Sequence, residues 1–396
     1  GSGERRQDEF AAGTRLSVDC AAGCYSGARC ATVEASTRPL SPRREQHRAN
    51  FAARPSRRRA MDSDRAPGEK PPSFMDQAKA AYDQVVNAII RPPRTTYEMR
   101  HLGPPRFEFL GRAFVREDFV VQNVSGQTLH VSRWGAEERA PMVPTMIFMH
   151  GNASARLEAI PQLGVCLSLG VAVVSFDFAG SGMSDGEYVT LGAKERDDCR
   201  AVVTYLRAEG KTSTIAFWGR SMGAVTALLY ADEDNMIDAM VLDSPFASLK
   251  LLAEELVERA TATSTTKVPK FVIAGMLRVV RMSIQKRAKI DINDISAIDH
   301  VDRQYVPALF CVVHGDTFIS NKHSELLHGK YAGDKFILAV EGDHNDARPP
   351  SMHVFVRRFL ERYMQVRRRA GTGGRGTDRR RQSSADGSRR RRNRDV

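Results

Sequence analysis

The chain reads as an α/β fold: a mostly parallel central sheet, an antiparallel N-terminal hairpin, flanking helices and a small helical lid inserted between the sixth and seventh predicted strands. Three observations predict it. The runs "TMIFMH", "VAVVSFDF", "TIAFWG", "AMVLDS", "ALFCVVHG" and "KFILAV" are short and apolar without polar alternation, as strands buried on both faces are. Segments with apolar residues at helical spacing separate them, and that alternation favours parallel pairing through helical crossovers. One interval, 246–305, is too long for a single crossover and must hold an insertion.

Taken in order, "SFMDQAKAAYDQVVNAII" has a helical apolar stripe that stops before Pro92 and Pro93. "FVREDFVVQNVSGQTLHVSRWG" reads as two strands joined near Ser125 and Gly126, an antiparallel hairpin. Between and after the six apolar runs, helices are predicted over 153–168, 192–208, 221–231, 321–331 and 349–365. Within the insertion, "LAEELVERA" and "KVPKFVIAGMLRVVRMSIQKRAK" read as two further helices, the second with Val268, Phe271, Val272, Met276, Val279 and Val280 near one face. A helical insertion at this place is expected to form a lid over a site. Its Phe271, Ile273, Met276, Leu277 and Met282 hint at an acyl or aromatic substrate. No internal repeat is visible.

Composition sets the limits of the ordered part. The hydrophobic share of 42% can fill a substantial core, whereas the formal net charge of +12 sits at the two ends. Residues 1–60 hold twelve Arg against six acids, and residues 367–396 hold twelve Arg against three Asp, so the middle is close to neutral. Both ends lack the apolar residues needed to offset the entropy of ordering. The domain reading is therefore a basic, disordered extension over 1–73, one domain over 74–366 and a disordered arginine-rich tail over 367–396. Met61 and Met75 lie in frame ahead of the domain, and the leading "GSG" reads as a cloning or gene-model scar. The arginine blocks suit weak electrostatic contact with nucleic acid or an anionic membrane, although no aromatic residue interleaves those of the C-terminal tail. Cys166, Cys199 and Cys311 lie in apolar runs and suit buried thiols of a reducing compartment, and Cys20, Cys24 and Cys30 beside arginine suit acylation. No C-x-x-C pair occurs, so no structural metal is expected, and no cofactor is implied. With no apolar stretch of transmembrane length, a cytoplasmic protein is expected, with peripheral membrane or nuclear association through its basic ends.

The chemistry is concentrated in "TIAFWGRSMGAVTALLY". Gly219, Arg220, Ser221, Met222 and Gly223 form a G-x-S-x-G knot where a strand passes into a helix, a turn that raises a serine hydroxyl as a nucleophile. A serine hydroxyl is a poor nucleophile at neutral pH and needs a base within hydrogen-bond reach. "VVHGDTF" delivers Asp316 and "AVEGDHNDA" delivers His344, each past the carboxyl end of a predicted strand, the edge where open α/β sheets place ligands. His344 can take the serine proton, and Asp316 can orient the ring and stabilise its charged form. "FMHGNAS" ends another strand where backbone donors for an oxyanion are expected: the Met222 N–H and one from the Asn152–Ala153 loop. Asp243 in "VLDSPF" is the alternative acid. Asp343 and Asp346 flank His344 too closely to orient its ring. His150 and His314 are expected to hold loops through backbone hydrogen bonds, Asp177 to anchor a turn, and Arg220 to serve structure.

"HGN", "FDFAGSGMSDGEYVTLG", "GRSMG", "VLDSPFAS", "HGD" and "EGDHN" together resemble the α/β-hydrolase superfamily, over roughly 90–365. The resemblance is to its intracellular serine-aminopeptidase-like and cinnamoyl-esterase-like branch of plants, algae and protists. It implies an α/β-hydrolase fold with Ser221 as nucleophile, Asp316 as acid and His344 as base. It leaves the substrate open, because this fold carries many chemistries. The expected activity is cleavage of a small acyl ester or thioester through an acyl-enzyme. A serine aminopeptidase-type enzyme is the alternative, for which Glu254 or Glu255 could hold a free amino terminus. A non-catalytic binding or scaffold protein on the same fold is a third reading.

Overall fold

A computed structural model of the chain describes residues 91–138, 140–262 and 270–364, with Thr32, Val33 and residues 79, 82, 83, 86, 87, 89 and 90. Apart from the two-residue strand β1 (Thr32–Val33), the predicted extension over 1–73 lies outside the described residues, Cys20, Cys24 and Cys30 included. So does the tail over 367–396.

The sheet runs in the order β1-β10-β9-β8-β7-β5-β6-β4-β3-β2. Its strands are β2 (Arg106–Phe109), β3 (Arg112–Gln122), β4 (Thr128–Ala136), β5 (Val143–Met149), β6 (Ala172–Phe176), β7 (Thr212–Arg220), β8 (Ala239–Asp243), β9 (Ala308–His314) and β10 (Lys335–Glu341). From β10 to β6 every neighbouring pair is parallel. Strands β2, β3 and β4 form an antiparallel meander whose last strand runs against β6. The predicted hairpin is thus present. Its turn is fixed by the Asn123 side chain, which accepts from the Ser125 and Gln127 amides, while Gly126 takes a positive φ of 73°. Strand β2 was not expected. Its four residues are too few to show a pattern, and the turn behind it is the pair Leu110–Gly111, with φ of 52° and 67°, in which leucine is an unusual first residue.

The apolar runs are buried on both faces, as their lack of alternation predicts. Ile147, Val174, Phe217, Leu242 and Phe310 enter one core, and Phe148, Val173, Trp218, Val241 and Leu309 enter the other. The first core is covered by α2 (Glu195–Glu209), α3 (Met222–Ala231) and α6 (Asn321–Lys330), and the second by α1 (Leu163–Ser168) and α7 (Pro350–Tyr363). The helix predicted over 153–168 is instead a 3-10 segment, Arg156–Gln162, followed by the short α1. Pro161 lacks the amide that a regular helix would need there.

The insertion between β8 and β9 holds two helices, α4 (Leu249–Ala262) and α5 (Lys270–Ala288). Leu249 and Leu252 root α4 in the first core, and Val280, Ile284 and Ala288 root α5 there. Of the predicted face, Val280 is buried and Val279 is 52% exposed; Met282, named for the substrate, is 60% exposed. The other side chains named for that face or for the substrate, at 268, 271, 272, 273, 276 and 277, lie outside the described residues. Among the described residues no helix is long and apolar enough to cross a membrane. Cys166, Cys199 and Cys311 are free and buried, and burial pushes the Cys166 thiol up to about 12.

Candidate active site

Because β5 to β10 run parallel, their carboxyl ends share one rim, and the loops after β5, β7, β9 and β10 carry Asn152, Ser221, Asp316 and His344 to it. Ser221 sits between β7 and α3 with φ 51° and ψ −114°, a conformation that L-residues rarely adopt. Two neighbours make that turn feasible. A Cβ at Gly219 would lie 2.3 Å from the Gly223 carbonyl oxygen, and one at Gly223 would lie 2.1 Å from that of Met149. Neither position can carry a side chain. The Ser221 amide is tied to the Asp243 carbonyl at 2.8 Å, which pins the turn to the next strand.

The three predicted side chains meet. The Ser221 hydroxyl oxygen is 3.2 Å from His344 Nε2, and His344 Nδ1 is 2.7 Å from Asp316 Oδ2. The carboxylate can only accept, so the ring proton lies on Nδ1 and Nε2 is left to accept from the serine. Asp316 is itself held, since its Oδ1 accepts from the Phe318 amide at 2.9 Å and the Ile319 amide at 2.7 Å. The Asp316 side chain is buried, and Ser221 and His344 keep only slight exposure, 6% and 7%. A cavity of about 900 Å³, bordered by Lys194, Leu229, Lys289 and His300, lies apart from these three residues.

Residues 144–325 match the family model for the serine aminopeptidases of family S33. The α/β-hydrolase domain-containing protein WAV2 of Arabidopsis thaliana is 25% identical over 277 residues, covering 65% of this chain and 83% of that protein. The lysophosphatidylserine lipase ABHD12 of Xenopus tropicalis is 27% identical over 123 residues, 30% of this chain and 31% of the lipase. The solved esterase Pf2001 of Pyrococcus furiosus superposes with a TM-score of 0.52 at 22% identity, covering 69% of this chain and 98% of the esterase. The chain has the α/β-hydrolase fold.

The alternative acid is otherwise engaged. Asp243 faces Arg348, whose Nε donates to both carboxylate oxygens at 3.1 and 2.8 Å, and both side chains are buried. Asp243 is not brought to His344. Arg348 also donates to the Asp343 and Asp346 carbonyls at 3.0 and 3.1 Å and to the His344 carbonyl at 3.1 Å. Arg220 reaches the same His344 carbonyl from β7, while its other nitrogen pairs with Glu158 at 2.8 Å. Glu158 in turn accepts from the Gly151 amide at 2.9 Å, so one chain of contacts links the loop after β5 to the loop that carries His344. Arg220 therefore has the structural place expected of it. Arg348 and Glu158 were missed by sequence reasoning. The signal for Arg348 was Asp243 itself, a carboxylate closing an apolar run, which must find a cation once buried.

The flanking acids also serve the loop. Asp343 accepts from the His344 amide at 2.7 Å and from the Thr317 amide at 2.8 Å, contacts that hold its carboxyl below the usual carboxylate range. Asp346 accepts from the Asp343 amide. Asp177 accepts from the Arg156 and Met183 amides and from the Tyr97 hydroxyl, anchoring the "FDFAGSGMSDGEY" loop. His150 accepts at Nε2 from the Phe178 amide and contacts the Gly151 carbonyl through Nδ1, as expected. His314 departs from expectation, for it is exposed and its ring meets the Asn321 side chain rather than a backbone group.

The two candidate oxyanion positions differ. Met222 is the first residue of α3, where helical N–H groups have no partner within the helix. In the loop after β5, the Ala153 amide donates to Asn152 Oδ1 at 3.0 Å, which ties up one of the two predicted donors and leaves the Asn152 amide as the candidate. Glu255, named for amino-terminus recognition, faces buried His323 at 3.4 Å, and Glu254 is exposed.

Proposed function

We propose that the protein is a serine hydrolase that cleaves a carboxylic ester or thioester through an acyl-enzyme. The observation that supports it is the continuous line of Asp316, His344 and Ser221, at 2.7 and 3.2 Å. In this reading His344 Nε2 removes the Ser221 proton as the hydroxyl oxygen adds to the substrate carbonyl carbon. The resulting oxyanion is met by the Met222 and Asn152 amides. The positive charge that forms on the ring is balanced by Asp316. Collapse expels the leaving group, which takes the proton from His344, and a water molecule repeats the cycle to release the acid and restore Ser221. Two preorganised N–H donors are the main electrostatic contribution, each worth about 3 kcal/mol in such sites. An ester with a fatty acyl chain is the favoured substrate class. The chain's likeness to a lysophosphatidylserine lipase supports that choice.

Labelling with a fluorophosphonate probe tests the reading. Wild type should be labelled, and Ser221→Ala and His344→Ala should not. A folded wild-type protein that stays unlabelled would refute it. A panel of p-nitrophenyl esters from acetate to palmitate then reads the acyl preference.

A further inference from the structure

Arg259 lies on α4, in the insertion, about one turn from the end of the helix. Its guanidinium donates to the Thr317 carbonyl at 2.7 Å and to the Phe318 carbonyl at 2.9 Å. These carbonyls belong to the two peptide units whose opposite ends, the Phe318 and Ile319 amides, donate to Asp316 Oδ1 at 2.9 and 2.7 Å. Each peptide unit thus lies between a cation and a carboxylate, with its dipole aligned to both. Hydrogen bonds in such a chain polarise and strengthen one another. The segment also carries Phe318, 45% exposed, whose ring stands 5.2 Å from the His344 ring. Arg259 is oriented from behind by Glu255, 3.9 Å away, which faces His323 at 3.4 Å. The His323 ring accepts the Ala247 amide at Nδ1, so its proton lies on Nε2, toward Glu255.

We propose that Arg259 is a positioning residue that couples the helical insertion to the acid arm of the site, through two peptide units held between its guanidinium and Asp316. This rests on the reading of Ser221, His344 and Asp316 given above. With α4 seated, Asp316 Oδ1 has two firm donors and Oδ2 is aimed at the imidazole. With α4 displaced, the 317–319 segment loses its anchor, and Asp316 and the Phe318 ring shift together. Movement of the insertion therefore sets the competence of the site.

The test uses the full chain. Arg259→Ala should lower kcat for a short-chain ester and the rate of fluorophosphonate labelling, roughly ten- to hundredfold, the scale of a misplaced catalytic group. KM should change little. Arg259→Lys, which keeps one donor, should fall between. Because Arg259 is 41% exposed, added methylguanidine should restore part of the rate to the alanine variant. The proton shared by His344 and Asp316 should give a far-downfield NMR resonance that shifts or broadens in Arg259→Ala but not in Glu254→Ala, an exposed change on the same helix. Labelling of both Arg259 variants at the wild-type rate, with that resonance unmoved, would overturn the inference. A wild type inert to the probe would instead remove the hydrolase reading, and the resonance would still report on the coupling.

Discussion

Replacing Arg348 by methionine removes a cation of similar length from a site where it meets five oxygen atoms: two of Asp243 and the carbonyls of Asp343, His344 and Asp346. Both partners of the ion pair are buried, so the Asp243 carboxylate would be left without water or a counter-charge. Breaking a buried pair from one side costs about 3–5 kcal/mol. Against a total stability of about 5–15 kcal/mol, that is a fifth or more. The measurement is urea unfolding followed by the emission of Trp134 and Trp218, both buried and both exposed on unfolding. Adding Asp243→Asn to the Arg348→Met background removes the stranded charge and should recover roughly 2 kcal/mol, a coupling expected of contacting residues. The reasoning fails if Arg348→Met costs less than about 1 kcal/mol, or if the double variant is no more stable than the single one.

Two further outcomes follow from backbone and titration. Ser221→Gly should raise stability by about 1 kcal/mol while ending probe labelling, because glycine takes the φ of 51° without strain; an unchanged or lower melting temperature would contradict this. Asp198 is buried between the Asn123 side chain and the Ala179 amide, and burial, only partly offset by those hydrogen bonds, pushes its carboxyl up to about 7. From pH 4 to 7 the folded protein then keeps a proton that the unfolded chain has released, so this group's contribution is present at low pH and lost as pH rises through 7. The stability of wild type relative to Asp198→Asn should fall by roughly 2 kcal/mol between pH 5 and 7.5, and a flat difference in urea midpoints would exclude it.

The parallel part of the sheet was legible because its strands are buried on both sides, which leaves uninterrupted apolar runs such as "AMVLD". The meeting of Ser221, Asp316 and His344 was legible for a related reason, since parallel strands bring their following loops to one rim. What escaped was held by contacts that leave no local pattern. Arg348 and Glu158 tie nearby main-chain groups to a distant side chain, Asp243 and Arg220 respectively, and an arginine or glutamate in a polar segment looks like any other. On α5 the predicted face took in both Val279 and Val280, which are equally apolar, and only packing against the core separates the exposed first from the buried second. At the loop after β5, the Asn152 side chain takes up the neighbouring amide, a local choice that spacing cannot reveal.

Two guanidinium groups, from the end of β7 and from just before α7, converge on one carbonyl oxygen, that of His344. Their grip is on the main chain and is indifferent to what hangs from the Cα. The imidazole can therefore be exchanged for a methyl group with the surrounding scaffold kept in shape. On the proposed function, such an inert form should still admit an intact ester, which makes it the natural choice for trapping uncleaved ligands in crystals.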